Sequence, residues 1–255
     1  MSKYYKPTRK RNLYDKKSET PFKLSRTGLE LFISCPRCFY LDKKLGTPRV
    51  PGFPFNLNSA VDALLKKEFD IHRAAGTKHP LMENYKIKAI PFKHEDIDKW
   101  RENFVGVQYF HKQTNFLITG AVDDIWINSR KELIVVDYKS TSLNEKIEEL
   151  SKDYHEGYKR QMEIYQWILR KNKYKVSNTG YFVYCNGRKD KKAFDKKLEF
   201  DVTLIPYEGD DSWVEDLIFK AYKCLNKKTM PKSSKNCDFC AYFKVRDSLE
   251  KKNLK

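Results

Sequence analysis

Two apolar runs near the middle of the chain, 116–127 and 132–139, flank the polar stretch Asn128-Ser129-Arg130-Lys131 and predict consecutive strands of a hairpin. Both carry charge where a buried strand is normally apolar: Asp123 on the first, Asp137 and Lys139 on the second. Side chains alternate along a strand, so Asp137 and Lys139 share a face, Tyr138 points away, and Asp124 faces opposite to Asp123. Upstream, Ser25 is a plausible N-cap for a helix over 26–34 with Leu29, Phe32 and Ile33 at core spacing. The Pro/Gly-rich stretch 50–55 leads into a helix over 57–73, whose expected buried stripe is Ala60, Leu64, Leu65 and Phe69. The pattern then predicts a strand over 86–92, a helical or turn segment over 95–101 and a strand over 106–111.

Beyond the hairpin, a lysine-rich connection precedes a helix over 155–171. Gln161 and Tyr165 lie four apart and share one of its faces, while Tyr158, Met162, Tyr165 and Leu169 also make a plain core stripe. Strands follow over 179–185 and 197–206, with Asn186-Gly187 as the turn signal, and a helix over 211–226 carries Trp213, Leu217, Ile218 and Leu225. Alternating strands and helices without an internal repeat predict an α/β domain over 21–255, preceded by a mobile basic arm over 1–20.

Charge narrows the partners. Lys and Arg number 51 against 34 Asp and Glu, for a net charge of +17, which favours polyanions: nucleic acid first, an anionic membrane surface second. No run approaches the roughly 20 apolar residues of a membrane span, and the start of the chain lacks the apolar core of a signal peptide. A cytoplasmic protein is therefore expected, with its six cysteines as thiols or metal ligands rather than disulfides. Cys185 and Cys224 sit in apolar patterns and read as core residues; the five histidines fall outside recognisable ligand spacings.

The acids on the hairpin read as a divalent-metal site. Two carboxylates from neighbouring strands suit a hard cation such as Mg²⁺, and a lysine beside them can orient a water and offset charge on an attacked phosphodiester. A structural Asp–Lys pair on a solvated sheet face is the alternative.

Gly120-x-x-Asp123, separated by thirteen residues from Asp137-Tyr138-Lys139 and followed by Gln161-x-x-x-Tyr165, resembles the PD-(D/E)XK nuclease superfamily, in particular its RecB-like exonuclease branch. The resemblance covers about 115–170 in the order strand, strand, helix. It implies a restriction-endonuclease-like mixed central sheet flanked by helices. It also implies Asp123 and Asp137 as ligands of Mg²⁺ or Mn²⁺, with the Tyr138 carbonyl, Lys139 as the residue positioning water, and Gln161 and Tyr165 ordering the phosphate. A helix histidine of that branch is matched loosely here by Asp62, an anionic oxygen donor.

The segment Cys35-Pro36-Arg37-Cys38-Phe39-Tyr40 also resembles this branch, whose iron–sulfur members include nucleases of CRISPR adaptation. Those members pair a first cysteine with a C-x-x-C and a further cysteine near the C-terminus. Here Cys237-Asp238-Phe239-Cys240 lacks the cysteine that follows in those relatives, and Cys38 is the candidate fourth ligand. Four thiolates suit either a [4Fe–4S] cluster or a structural Zn²⁺, and either would join the chain ends in a cysteine subdomain. The implied function is a metal-dependent deoxyribonuclease working on single strands or ends in repair, recombination or defence, with a helicase or defence complex as partner. A scaffold that kept the fold without catalysis, an RNA-acting nuclease and a subunit active only in a complex are the competing readings. Oligomeric state is not written in the sequence.

Overall fold

The computed structural model describes residues 6–253. Its elements are β1 (Phe22–Ser25), α1 (Arg26–Ser34), α2 (Pro36–Lys43), α3 (Asn56–Ala75), α4 (Pro80–Asn84), β2 (Ala89–Pro91), α5 (Ile97–Arg101), β3 (Val107–His111), β4 (Phe116–Gly120), β5 (Asp124–Asn128) and β6 (Leu133–Thr141). A single 3₁₀ turn at Asp153–His155 then leads into α6 (Glu156–Lys171), β7 (Thr179–Gly187), β8 (Phe200–Glu208), α7 (Val214–Leu225) and α8 (Asp238–Asn253). The chain is α/β with mixed sheets flanked by helices, as the resemblance implies. It divides into two compact units. One holds Pro54–Tyr109 and Thr119–Ser212; the other holds the residues up to Phe53, Phe110–Ile118 and those from Trp213 onward.

The first of these units is built on a five-stranded sheet in the order β2-β5-β6-β7-β8. β5 and β6 pair antiparallel, as the hairpin pattern predicts, with Asp124 opposite Val136. The turn is made by Asn128, whose side-chain carbonyl accepts from the Arg130 and Glu132 amides. β6 and β7 run parallel, with Asp137 opposite Phe182. A parallel neighbour requires a crossover, and α6 supplies it. Ile134, Val136 and Tyr138 point from β6 into a core with Phe69, Met82, Trp126, Val183 and Leu204. There the Phe69 ring of α3 stacks 5.4 Å from Trp126. The opposite face of β6, carrying Val135 and Asp137, meets α6, where Gln161 bonds Asp137.

Four expectations need correction. The run 116–127 is not one strand: β4 stops at Gly120 and β5 starts at Asp124, so Asp123 lies in the bend between them. The strand expected over 86–92 shrinks to β2. Lys86 takes a left-handed φ of 56° and Ile87 N–H bonds Met82, which spends those residues on the end of α4. Asn186-Gly187 is not a turn; both residues sit in the β7–β8 ladder opposite Asp201 and Phe200, and the link runs on to β8 through 188–199. The buried stripe of α3 is Val61, Leu65 and Phe69, and Leu64 is left 64% exposed.

The most demanding group in this unit is Asp124, which is fully buried. Its Oδ1 accepts from Arg101 Nη2 (2.8 Å), the Ile125 amide (2.8 Å) and Arg73 Nη2; its Oδ2 accepts from Tyr138 Oη (2.9 Å) and Trp126 Nε1 (3.3 Å). Asp70 pairs with both arginines. Burial and the adjacent Asp124 charge hold the Tyr138 phenol well above its ordinary pKa, so it remains a donor. One carboxylate thereby ties α3, α5, β5 and β6 together. A second constraint is steric. A Cβ on Gly120 would meet the Tyr165 ring at 2.6 Å, and Gly106, at a φ of +66°, leaves no room for a Cβ against the Gly120 carbonyl.

The other unit holds β1, an edge strand of a three-stranded sheet ordered β1-β4-β3. Ser25 caps α1 as expected, its side chain accepting from the Gly28 amide. Of the basic arm, residues 1–5 lie outside the described residues. Further along, Arg9 pairs with Asp42, and Tyr14 is buried edge-on against Phe22, Phe116 and Tyr222. Cys224 is buried on α7, and in the sheet unit Cys185 is buried on β7.

Among the described residues, removing Asp124 leaves two buried guanidinium groups to share Asp70 alone as their carboxylate. Asp124→Ala should lower unfolding free energy in urea by about 3–5 kcal/mol, whereas breaking the exposed Arg130–Glu132 pair should change it by under about 1 kcal/mol. Equal, small losses at both positions would contradict the assignment. Gly120→Ala should destabilise by roughly 1–3 kcal/mol through its clash with Tyr165. Gly52→Ala, where a Cβ meets nothing within 4 Å, is the control and should leave the transition in place.

Candidate functional site

β6 delivers Asp137 into the space beneath α6. Asp137 is fully buried, and Gln161 Nε2 donates to its Oδ1 at 2.7 Å. The same amide nitrogen donates to Tyr165 Oη at 3.1 Å, so the two helix residues that share a face bond one another beside the carboxylate. Among the described residues, Asp137 Oδ2 has no hydrogen-bond donor other than the ammonium of Lys139, with which it forms an ion pair. Lys139 comes from the same face of β6, two residues on, and its Nζ also sits 4.6 Å over the Tyr158 ring. The ring and the carboxylate hold the ammonium in one place.

Asp123 reaches this group from the bend after β4. Its Oδ2 accepts the Tyr138 amide at 2.8 Å, so the residue between Asp137 and Lys139 anchors the other predicted acid through its backbone. Burial first, and then the negative charge of Asp137, raise the Asp123 carboxyl to about 6. Two acids close enough to repel in a partly dry pocket form a place that attracts a cation. Asp62 stands on α3, whose Asn58 side chain donates to the Ser140 carbonyl at the end of β6. Burial raises its carboxyl too, with the Asp123 charge also pushing upward.

Lys66 was not anticipated. Its Nζ lies 2.8 Å from Asp62 Oδ2 and 3.7 Å from Asp123 Oδ1, a bridge between two predicted ligands. The signal was present in the sequence as a cation one helical turn beyond Asp62. Tyr158, at core spacing on α6, also belongs to this group through its ring under Lys139 Nζ. Lys66 thus joins Asp62 to Asp123, Gln161 joins Asp137 to Tyr165, and Tyr138, between Asp137 and Lys139 in the chain, ties the two sets together through its amide bond to Asp123. The donors are all carboxylate oxygens, the kind that suits Mg²⁺, Mn²⁺ or Ca²⁺ and not a soft metal.

The predicted cysteines form a separate group in the other unit. Cys35, Cys38 and Cys237 are buried, Cys240 is partly exposed, and sulfur atoms of all four lie within 4.8 Å of one another. Burial resists ionisation of Cys35, but hydrogen bonds from the Cys38 and Ser234 backbone outweigh it and bring its thiol down to about 6. The cysteines join the N-terminal and C-terminal regions of the sequence, as expected. No helix among the described residues is long and apolar enough to cross a membrane.

No curated protein matches the chain. Among solved structures, one described as the crystal structure of SSO0001 is similar over 85% of this chain and 82% of its own, at 18% identity and a TM-score of 0.43. The sequence profile of the PD-(D/E)XK nuclease superfamily matches residues 23–245, nearly the whole described chain. The chain therefore belongs to the PD-(D/E)XK nuclease superfamily.

Proposed function

We propose that this protein is a divalent-metal-dependent deoxyribonuclease with Asp123, Asp137 and Lys139 as its central groups. The observation that carries the reading is the environment of Asp137: a buried carboxylate with one oxygen fixed by Gln161 and the other, among the described residues, facing only the Lys139 ammonium. A purely structural ion pair would have its remaining lone pairs satisfied. Membership of a nuclease superfamily and a net charge of +17 support a nucleic acid as the substrate.

Asp123 and Asp137, joined by Asp62 and the Tyr138 carbonyl, would hold Mg²⁺ or Mn²⁺. When bound, such a cation supplies Lewis acidity toward the phosphate and the acidity of its water. The chain's own residues do the rest. Lys139, held over the Tyr158 ring, orients the attacking water and offsets charge as the phosphodiester becomes pentacovalent. Gln161 keeps Asp137 in one rotamer, and Tyr165 fixes Gln161. Lys66 occupies the space between Asp62 and Asp123 and competes with a divalent ion for both.

The test uses end-labelled single- and double-stranded DNA, with an RNA of the same sequence, in Mg²⁺, Mn²⁺ or EDTA. Cleavage should require the metal, favour DNA, and fall by about 10²–10⁴-fold in Lys139→Ala, with folding checked by circular dichroism. Cleavage that persists in EDTA, or an undiminished rate in a folded Lys139→Ala, would overturn the reading. Lys66→Gln should tighten Mn²⁺ binding several-fold in calorimetry, since it removes a competing cation; weaker binding would mean that Lys66 organises the carboxylates instead.

A further inference from the structure

The resemblance that identifies the nuclease core also implies a [4Fe–4S] cluster on the cysteines, and the sulfur positions do not fit one. Cys38 Sγ is 3.6 Å from Cys237 Sγ and 3.6 Å from Cys240 Sγ, and Cys35 Sγ is 3.9 Å from Cys240 Sγ. All four ligand sulfurs lie within 4.8 Å of one another. A cubane places four irons and four sulfides between its thiolates, which then stand roughly 6 Å apart. A single metal ion at the centre of four thiolates, with metal–sulfur bonds of about 2.3 Å, sets the sulfurs about 3.8 Å apart, the edge of the tetrahedron.

We propose that Cys35, Cys38, Cys237 and Cys240 bind one mononuclear, tetrahedral Zn²⁺ in place of an iron–sulfur cluster. Each C-x-x-C pair is built the same way. Cys35 precedes α2 and Cys38 lies in its first turn; Cys237 precedes α8 and Cys240 lies in its first turn. The Cys35 carbonyl accepts the Phe39 amide, and the Cys237 carbonyl accepts the Ala241 amide, so each pair is fixed by its own helix start. Zn²⁺ ranks above Fe²⁺ for such a donor set, has no geometric demand of its own, and is closed off by four protein ligands, the arrangement of a structural site. The sequence departs from the cluster-bearing pattern at the same place: the cysteine expected after Cys240 is missing and Cys38, from the other end, completes the set.

Arg49 completes the surroundings. Its Nη2 lies 3.3 Å from Cys237 Sγ and 3.2 Å from Ser34 Oγ, and its guanidinium stacks 4.7 Å from the Phe239 ring. Four thiolates on a divalent ion carry two net negative charges, and the guanidinium offsets one of them while holding Cys237 in place. The site does no chemistry on a substrate. It fastens residues 35–38 to 237–240 within one unit, and it is independent of the carboxylate site.

The full-length protein, purified without oxygen and without added metal chelators, should contain about one zinc per chain by mass-spectrometric metal analysis. It should lack the brown colour, stoichiometric iron and acid-labile sulfide of a cluster. Exchange with Co²⁺ should give the intense visible bands of tetrahedral thiolate coordination. Arg49→Met should fold and bind zinc at saturation, yet lose it to a competing chelator about 10–100-fold more readily. Cys237→Ser should lower the zinc content below one per chain. Four irons and four sulfides per chain under these conditions, or a wild-type protein that holds no metal and takes up no Co²⁺, would overturn the proposal. None of these readouts depends on nuclease activity, so the two proposals fail separately.

Discussion

A carboxylate with no access to water has to be surrounded by donors, and Asp124 is the point from which the sheet unit is laid out. Five donors converge on its two oxygens, drawn from α3, α5, β5 and β6. Arg73 is the decisive one, because α3 also carries Asp62 and Lys66. Pinning the helix at Arg73 fixes where its earlier turns stand over the sheet. Tyr138 couples the two sides: its hydroxyl serves Asp124 and its amide serves Asp123. The structural acid and the candidate functional acid are adjacent in sequence, lie on opposite sides, and are held by opposite ends of one tyrosine.

The candidate site is the reverse case. Where Asp124 is saturated with donors, Asp123 is held by fewer, and burial together with the Asp137 charge makes it hold its proton more tightly. The three acids share two lysines, one from β6 and one from α3. Such an arrangement is unfavourable for folding and useful for binding, the usual relation at sites that must receive a charged ligand.

Alternation along β6 was enough to pair Asp137 with Lys139, because a period of two is a local rule. The four-residue spacing of Gln161 and Tyr165 was legible for the same reason. The partners of Asp124 were not. Arg73 and Arg101 lie 51 and 23 residues away, and no local pattern marks a lysine or arginine as buried. The break after Gly120 was hidden because the apolar run continues through it; the need for a glycine comes from a ring on α6. Asn186-Gly187 misled because a strong local turn signal was overridden by pairing with β8. On α3 the apolar residues occupy two faces. Leu57, Leu64 and Ile71, seven apart, are exposed, and only the geometry of the sheet decides which stripe is covered.

The crossover from β6 through α6 to β7 has a consequence for when the site exists. Asp137 and Gln161 are 24 residues apart, joined by a polar loop that must close before the helix can lie on the sheet. Until then the hairpin holds its acids without the amide that orients one of them or the tyrosine ring that holds the lysine. A chain still being synthesised, or one partly unfolded at α6, has every central group of the candidate site except their arrangement. The arrangement therefore requires the crossover helix in place, so local opening at α6 alone would disassemble it while leaving the hairpin intact in sequence.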